Sequence, residues 1–106
     1  MKSVRWAIVA IATLLSVPAL AEGDAAAGQV KASTCMGCHG IPLYSNAYPT
    51  YRVPKIGGMS AEYIELALKA YRSGERQHPT MRAQAEPMSD QDIAEIAAFI
   101  SGAPRR

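Results

Sequence analysis

Apolar residues recur at helical spacing in three segments of this chain, residues 24–40, 60–74 and 89–102. Each segment opens on an Asp or Ser, the side chains that favour a helix N-cap, and each ends at a Gly. Alternation of apolar and polar residues, the pattern of a half-buried strand, does not recur. The pattern therefore predicts an all-α fold.

Two of these segments predict a buried face. The last segment opens on Ser89, and Asp92 three residues later completes a pattern that resembles a capping box. Its predicted apolar face comprises Ile93, Ile96, Ala97 and Ile100. In the middle segment the predicted stripe comprises Tyr63, Ile64, Leu66, Ala67, Ala70 and Tyr71.

The connections between the segments, residues 41–59 and 75–88, are punctuated by Pro and Gly and keep no helical period. Both are predicted to be irregular. A long irregular connection in a small domain is usually functional, and residues 41–59 are predicted to wrap a bound group.

The N-terminus has the pattern of a secretory signal peptide. Lys2 and Arg5 precede an almost wholly apolar stretch, residues 6–17, and Ala19 to Ala21 supply a small-x-small cleavage pattern. An uncleaved membrane anchor is the alternative, but the stretch is short for a span and Pro18 ends it. Residues 1–21 are therefore predicted to be removed, leaving no stable membrane anchor.

Residues 22–106 then form one small domain of 85 residues, with nine basic and nine acidic side chains. This balance gives no reason to expect a nucleic-acid partner. A domain of this size buries a thin core and often needs a covalent staple or cofactor.

The most specific motif is Cys35-Met36-Gly37-Cys38-His39, because C-x-x-C-H is typical of the attachment site of a c-type haem. Both thiols would bind haem vinyl groups, and His39 would be the proximal iron ligand. A zinc site would need further ligands, yet these are the only cysteines and His78 is the only other histidine. A thioredoxin-like redox pair would need βαβ patterning. Because haem c is attached outside the bacterial cytoplasm, the motif and the leader together predict the periplasm.

The order of motifs resembles a class I c-type cytochrome, and most closely the short bacterial c553 and c4-type single-haem domains. The resemblance covers residues 35–40, 54–58, 71–76, Met81 and 89–99. It implies a small cytochrome c fold, three to four helices wrapped around one covalently attached haem c with its iron.

The resemblance also implies a distal methionine ligand on the loop before the last helix, and Met81 stands at that position. The other candidates are Met36, Met59 and Met88. His78 is a further alternative, since imidazole binds iron well.

Three residues are predicted to shape the haem pocket. The resemblance assigns the Pro54 carbonyl as acceptor for His39, whereas Pro54 could also simply end the loop. Gly58 would allow the backbone close to the macrocycle, although an ordinary turn would look the same. Tyr51 would lie at the haem edge, unless the loop aromatics only cover the core; the tyrosines of this loop are Tyr44, Tyr48 and Tyr51.

A closed His/Met site suits one-electron transfer between Fe(II) and Fe(III) rather than substrate activation. The resemblance thus implies a periplasmic carrier, not an enzyme, between a donor dehydrogenase or bc1-type complex and an acceptor oxidase, reductase or peroxidase. Alternatives are a dedicated haem subunit of a larger dehydrogenase complex, and a haem sensor or peroxidase-like enzyme with an open iron position. Docking is expected at a haem edge ringed by uncharged residues: Ile41, Pro42, Ala83 and Ala85.

Overall fold

The computed structural model describes residues 23–40, 43–47 and 50–105. The predicted leader, residues 1–21, lies outside these ranges. The described residues form five helices and one antiparallel hairpin: α1 (Ala25–Lys31), α2 (Ser33–His39), β1 (Ser45–Ala47), β2 (Thr50–Arg52), α3 (Ala61–Ser73), α4 (Pro79–Ala85) and α5 (Asp90–Gly102). The mostly helical architecture confirms the predicted all-α class. In the described ranges, every helix is too short or too polar to cross a bilayer.

The first predicted helix is present but is divided into α1 and α2 at Ala32, which is completely buried. The Asp24 carboxylate accepts a hydrogen bond from the Ala26 N–H at 2.8 Å, as its predicted capping role requires. Gly40 follows the end of α2, also as predicted.

Helix α3 has the predicted boundaries, with a different buried face. The Ser60 hydroxyl caps its N-terminus, and Gly74 ends it with a left-handed φ of +82°. Ile64 and Leu68 are buried, whereas Leu66 is 61% exposed. The prediction for Leu66 was wrong because the apolar positions of this helix admit two overlapping stripes, and packing selects the one that contains Leu68.

Helix α5 forms the centre of the core. Ser89 and Asp92 exchange the two hydrogen bonds of the predicted capping box. Ile93, Ile96 and Ile100 are its largest fully buried side chains, so the predicted buried face is confirmed.

Helix α5 packs against α1 and α3. At the crossing with α1, a Cβ on Gly28 would lie 1.9 Å from the Glu95 carbonyl oxygen. Only a glycine at position 28 lets the backbones of α1 and α5 approach this closely.

The two connections predicted to be irregular contain secondary structure. Residues 75–88 include α4, because Pro79 occupies the first turn of that helix, where its missing N–H costs nothing. Residues 41–59 include β1 and β2, paired with Ser45 opposite Arg52. Strands of three residues are too short for their alternation to be read from the sequence.

Candidate functional site

A cavity of about 600 Å³ lies between α2, β2, α3 and α4. Among the described residues, no Cα atom of α2 comes within 8 Å of one in α3, α4 or α5. Helix α2 therefore lines this cavity without a close backbone approach to the later helices.

Helix α2 presents three side chains of the C-x-x-C-H motif to the cavity. Cys35, Cys38 and His39 line it, whereas Met36 and Gly37 do not. Positions i, i+3 and i+4 share one face of a helix, so the spacing of the motif places both thiols and the imidazole together. Because Met36 does not line the cavity, the structure gives no support to it as a distal ligand.

The His39 ring is held by a backbone carbonyl. His39 Nδ1 donates to the Pro54 carbonyl oxygen at 2.6 Å, the partner that the resemblance implies. Since a carbonyl can only accept, the neutral ring carries its proton on Nδ1, and Nε2 keeps its lone pair. This is the tautomer that a metal-binding Nε2 requires.

The electrostatics of Cys35 differ from those of a reactive redox pair. Burial raises the pKa of the Cys35 thiol, and a hydrogen bond from Thr34 offsets this only partly. Redox-active C-x-x-C motifs have lowered thiol pKa values. The zinc alternative is not supported either. Within the part of the chain that the structure describes, no group of three His, Cys, Asp or Glu side chains could hold a metal ion.

Three of the candidate distal methionines, Met59, Met81 and Met88, line the cavity. Met81 is carried by α4, which lines the same cavity as α2. Met88 follows α4, and its carbonyl accepts a hydrogen bond from Arg72 Nη1 at 2.9 Å.

His78 also lines the cavity, but the start of α4 uses its imidazole. Its Nδ1 accepts a hydrogen bond from the Met81 N–H at 3.3 Å, which makes His78 the N-cap of the helix. In the neutral ring the proton is then on Nε2, so neither nitrogen offers a free lone pair. This role cannot be predicted from the sequence, because histidine is not among the usual N-cap residues.

Tyr51 connects strand β2 to the start of α4. Its hydroxyl donates to the Thr80 hydroxyl at 2.5 Å, and its ring meets His78 edge-on at a centroid distance of 4.5 Å. Tyr51 lines the cavity, whereas Tyr44 does not. Tyr48 lies outside the described residues.

Gly58 is located differently from the prediction, since it is not part of the cavity lining. Its φ is +74°, and a Cβ there would lie 2.6 Å from Arg105 Cγ and 3.2 Å from the Ala103 carbonyl oxygen. The glycine is required by this turn and by close packing on the C-terminal segment, which sequence alone does not reveal.

The expected ring of uncharged docking residues also needs correction. Ala85 is completely buried in the core, because the last residue of α4 faces inward. Ile41 and Pro42 lie outside the described residues, and Ala83 is exposed.

The lining suits a large apolar group with an anionic edge. Val53, Ile56, Ile64 and Leu68 supply apolar surface from the loop and from α3. Among the described residues, Arg52, Lys55 and Arg76 are the charged side chains of the lining, and none of its residues is an Asp or Glu. Haem combines an apolar macrocycle with two propionates, so the residues present fit this group.

The sequence profile of the family described as "Cytochrome c" matches residues 24–104. The chain is 46% identical to cytochrome c-554(548) of Halomonas halodenitrificans over 82 residues, covering 74% of this chain and 95% of that protein. It is 38% identical to cytochrome c4 of Pseudomonas aeruginosa over 81 residues, 76% of this chain and 39% of that protein. It is 30% identical over 113 residues to a "Thiosulfate dehydrogenase electron acceptor" of Stutzerimonas stutzeri, 98% of this chain and 50% of that protein. The chain thus spans half or less of the last two relatives and nearly all of the first.

The family match and the named relatives are consistent with a haem-sized cavity lined by the C-x-x-C-H motif of α2. The chain belongs to the cytochrome c family, as a single-haem electron-transfer protein with covalently bound haem c and its iron.

Proposed function

We propose that this chain is a periplasmic electron carrier whose haem iron is ligated by His39 and Met81. One observation carries the proposal: α2 and α4 line the same cavity with no Cα atom of one within 8 Å of a Cα atom of the other, and they present His39 and Met81 to it. His39 from α2 and Met81 from α4 would hold the iron of a haem bound in this cavity.

In this proposal each residue of the site has a distinct task. Cys35 and Cys38 would hold the haem through two thioether bonds. The Pro54 carbonyl keeps the His39 ring in one orientation and one tautomer. The bound haem supplies one-electron Fe(II)/Fe(III) chemistry, with a potential raised by the methionine ligand.

A site closed by both ligands has no position for a substrate, and we therefore propose that the chain is not an enzyme. A sensor or peroxidase-like function would need an open or labile sixth position. The cap formed by His78 argues against lability, because it ties the backbone of Met81 to the start of α4.

We infer that the chain exchanges electrons with a donor dehydrogenase or bc1-type complex and with an acceptor oxidase, reductase or peroxidase. The relative named as an acceptor for thiosulfate dehydrogenase supports a dehydrogenase as donor. It also keeps open the alternative of a dedicated subunit in a dehydrogenase complex. Periplasmic location rests on the predicted leader, residues 1–21, and on the extracytoplasmic attachment of haem c.

The visible spectrum of Met81→Ala tests the ligand assignment. We expect the wild type to show the weak long-wavelength band of methionine–iron ligation when oxidised and to exclude CO when reduced. Met81→Ala should lose the band and bind CO, whereas the matched variants Met59→Ala and Met88→Ala should keep the band. If Met88→Ala loses it instead, Met88 is the ligand; a wild type that binds CO would overturn the carrier proposal.

Purification of the protein from the periplasm distinguishes the carrier hypothesis from the alternative of a complex subunit. A carrier should elute as a free small protein, whereas a subunit should co-purify with a catalytic chain. Chain termini should be determined in the same preparation, because an N-terminus at residue 22 is the expected product of leader cleavage.

A further inference from the structure

Only the middle side chain of strand β2 is partly buried. Tyr51 lies half-buried between the exposed Thr50 and Arg52, as the alternation of side chains along a strand requires. The strand pairs with β1, and just beyond it the Val53 N–H donates to the Tyr44 carbonyl at 2.9 Å. Val53 is itself buried. Tyr51 therefore projects from an anchored stretch of backbone.

Tyr51 contacts the residues on both sides of Pro79, at the start of α4. Its hydroxyl donates to the Thr80 hydroxyl at 2.5 Å, and its ring meets the His78 ring edge-on at a centroid distance of 4.5 Å. His78 caps α4 by accepting from the Met81 N–H at 3.3 Å, and Thr80 directly precedes Met81. Both contacts of Tyr51 thus fall at the turn that carries the proposed distal ligand.

The same extended segment also supports the other proposed ligand. The Pro54 carbonyl, which holds the His39 ring at 2.6 Å, follows Tyr51 by three residues. Three residues of extended chain span about 10 Å. Tyr51 and Pro54 both line the cavity. Residues 51–54 therefore carry a support for His39 at one end and a support for the Met81 turn at the other.

We propose that Tyr51 is a positioning residue for Met81, acting through the Thr80 hydroxyl and the His78 ring. The proposal rests on the ligation by His39 and Met81 proposed above. Helix α4 has seven residues, and a helix of that length is not stable without outside contacts. Among the described helices it packs against α3, and Tyr51 adds a support from the hairpin. Movement of the first turn of α4 away from the iron breaks the hydrogen bond to Tyr51, so this bond slows the departure of Met81.

Displacement of Met81 by imidazole in the oxidised holoprotein tests this role. One iron–sulfur bond breaks and one iron–nitrogen bond forms, while the oxidation state of the iron stays the same. At saturating imidazole the rate is limited by departure of the methionine. The rate at which the long-wavelength band disappears in a stopped-flow experiment therefore measures how firmly Met81 is held.

Two variants remove the hydrogen bond from opposite sides. Tyr51→Phe keeps the ring against His78 and loses the hydroxyl, whereas Thr80→Val loses the acceptor at similar volume. Each should raise the limiting rate about fivefold, the factor expected of one neutral hydrogen bond. The double variant should be no faster than either single variant, because both changes remove the same bond. Unchanged rates in the single variants, or additive effects in the double variant, would overturn the proposal.

Two controls separate positioning from a general loss of stability. Tyr44→Phe removes a hydroxyl from the other side of the hairpin, at a residue that does not line the cavity, and should leave the rate unchanged. Gly28→Ala disturbs the crossing of α1 and α5 and should lower the melting temperature without raising the rate. A rise in either control as large as that in Tyr51→Phe would overturn the proposal, because the rate would then report overall stability.

Failure of the ligand assignment has a different signature. Met81→Ala should lack the band and bind imidazole without the slow step. If Met81→Ala keeps both the band and the slow step, another residue is the ligand and the proposed function fails at this point. Loss of the band in Met81→Ala together with an unchanged rate in Tyr51→Phe would refute the role of Tyr51 alone.

Discussion

His39 Nδ1 lies 2.6 Å from the Pro54 carbonyl oxygen, although fifteen residues separate the two along the chain. This hydrogen bond joins the end of α2 to the segment after β2. It matters because, among the described helices, only α1 has Cα atoms within 8 Å of those of α2. The orientation of the proposed iron ligand therefore depends on a backbone acceptor in a loop.

Because the acceptor belongs to the backbone, Pro54→Ala should keep it. We expect the holoprotein to retain its reduced spectrum and to lose about 0.4–1 kcal/mol of stability, since alanine gives the unfolded chain more freedom than proline. Thermal unfolding followed at the haem absorbance measures both properties. A variant that loses its low-spin spectrum would show that the ring of Pro54, rather than its carbonyl, positions His39.

The N-cap formed by His78 should control how well Met81 is held. Removing it in His78→Ala should cost about 1 kcal/mol, the usual value of a cap, and weaken the methionine–iron band on warming. His78→Asn should restore the band, because asparagine also accepts from the N–H two or three residues ahead. Absorbance against temperature for the three proteins provides the measurement.

If His78 were instead an iron ligand, asparagine would not rescue it, and the wild type would lack the methionine band. If the residue only fills space, alanine and asparagine would be equally impaired. The rescue thus separates a positioning role from both alternatives.

The sequence predicted the elements whose signals are local. Ser60 and Ser89 are caps recognisable from a few residues, and the structure contains both. The C-x-x-C-H spacing is equally local, since helical geometry alone brings Cys35, Cys38 and His39 to one face.

Features that depend on tertiary contacts could not be read in this way. Helix α4 was missed because Pro79 interrupts the pattern, and its cap is an imidazole. Leu66 was predicted to be buried, but Leu68 is buried instead, because only packing selects between the two apolar stripes of α3. Gly58 is fixed by hydrogen bonds with Ile100 and Arg105, more than forty residues away.

Gly28 and Gly37 make a matched pair of helical glycines. A Cβ on Gly28 would lie 1.9 Å from the Glu95 carbonyl oxygen, whereas nothing lies within 4 Å of one on Gly37. Gly28→Ala should therefore separate α1 from α5 and cost more than about 2 kcal/mol. Gly37→Ala should be neutral or stabilise the holoprotein by up to about 1 kcal/mol, through helix propensity. Denaturant unfolding of both variants measures the difference, and equal stabilities would contradict the backbone contact at the crossing.

Lys31 joins α1 to α5 through ion pairs with Asp92, at 2.6 Å, and with Glu95. Its ammonium holds the pKa of both carboxyl groups below the ordinary value. A carboxyl group whose pKa is lowered by folding stabilises the protein fully above its unfolded pKa, about 4, and loses this contribution as the pH falls through its folded value.

The melting temperature of the holoprotein should therefore fall steeply below about pH 4, and Lys31→Met, which keeps the apolar stem, should flatten that fall. Lys69→Met is the control, because its pair with Glu65 lies within one helix and is more exposed. Identical acid profiles for wild type and Lys31→Met would show that the α1–α5 contact owes its acid sensitivity to other groups.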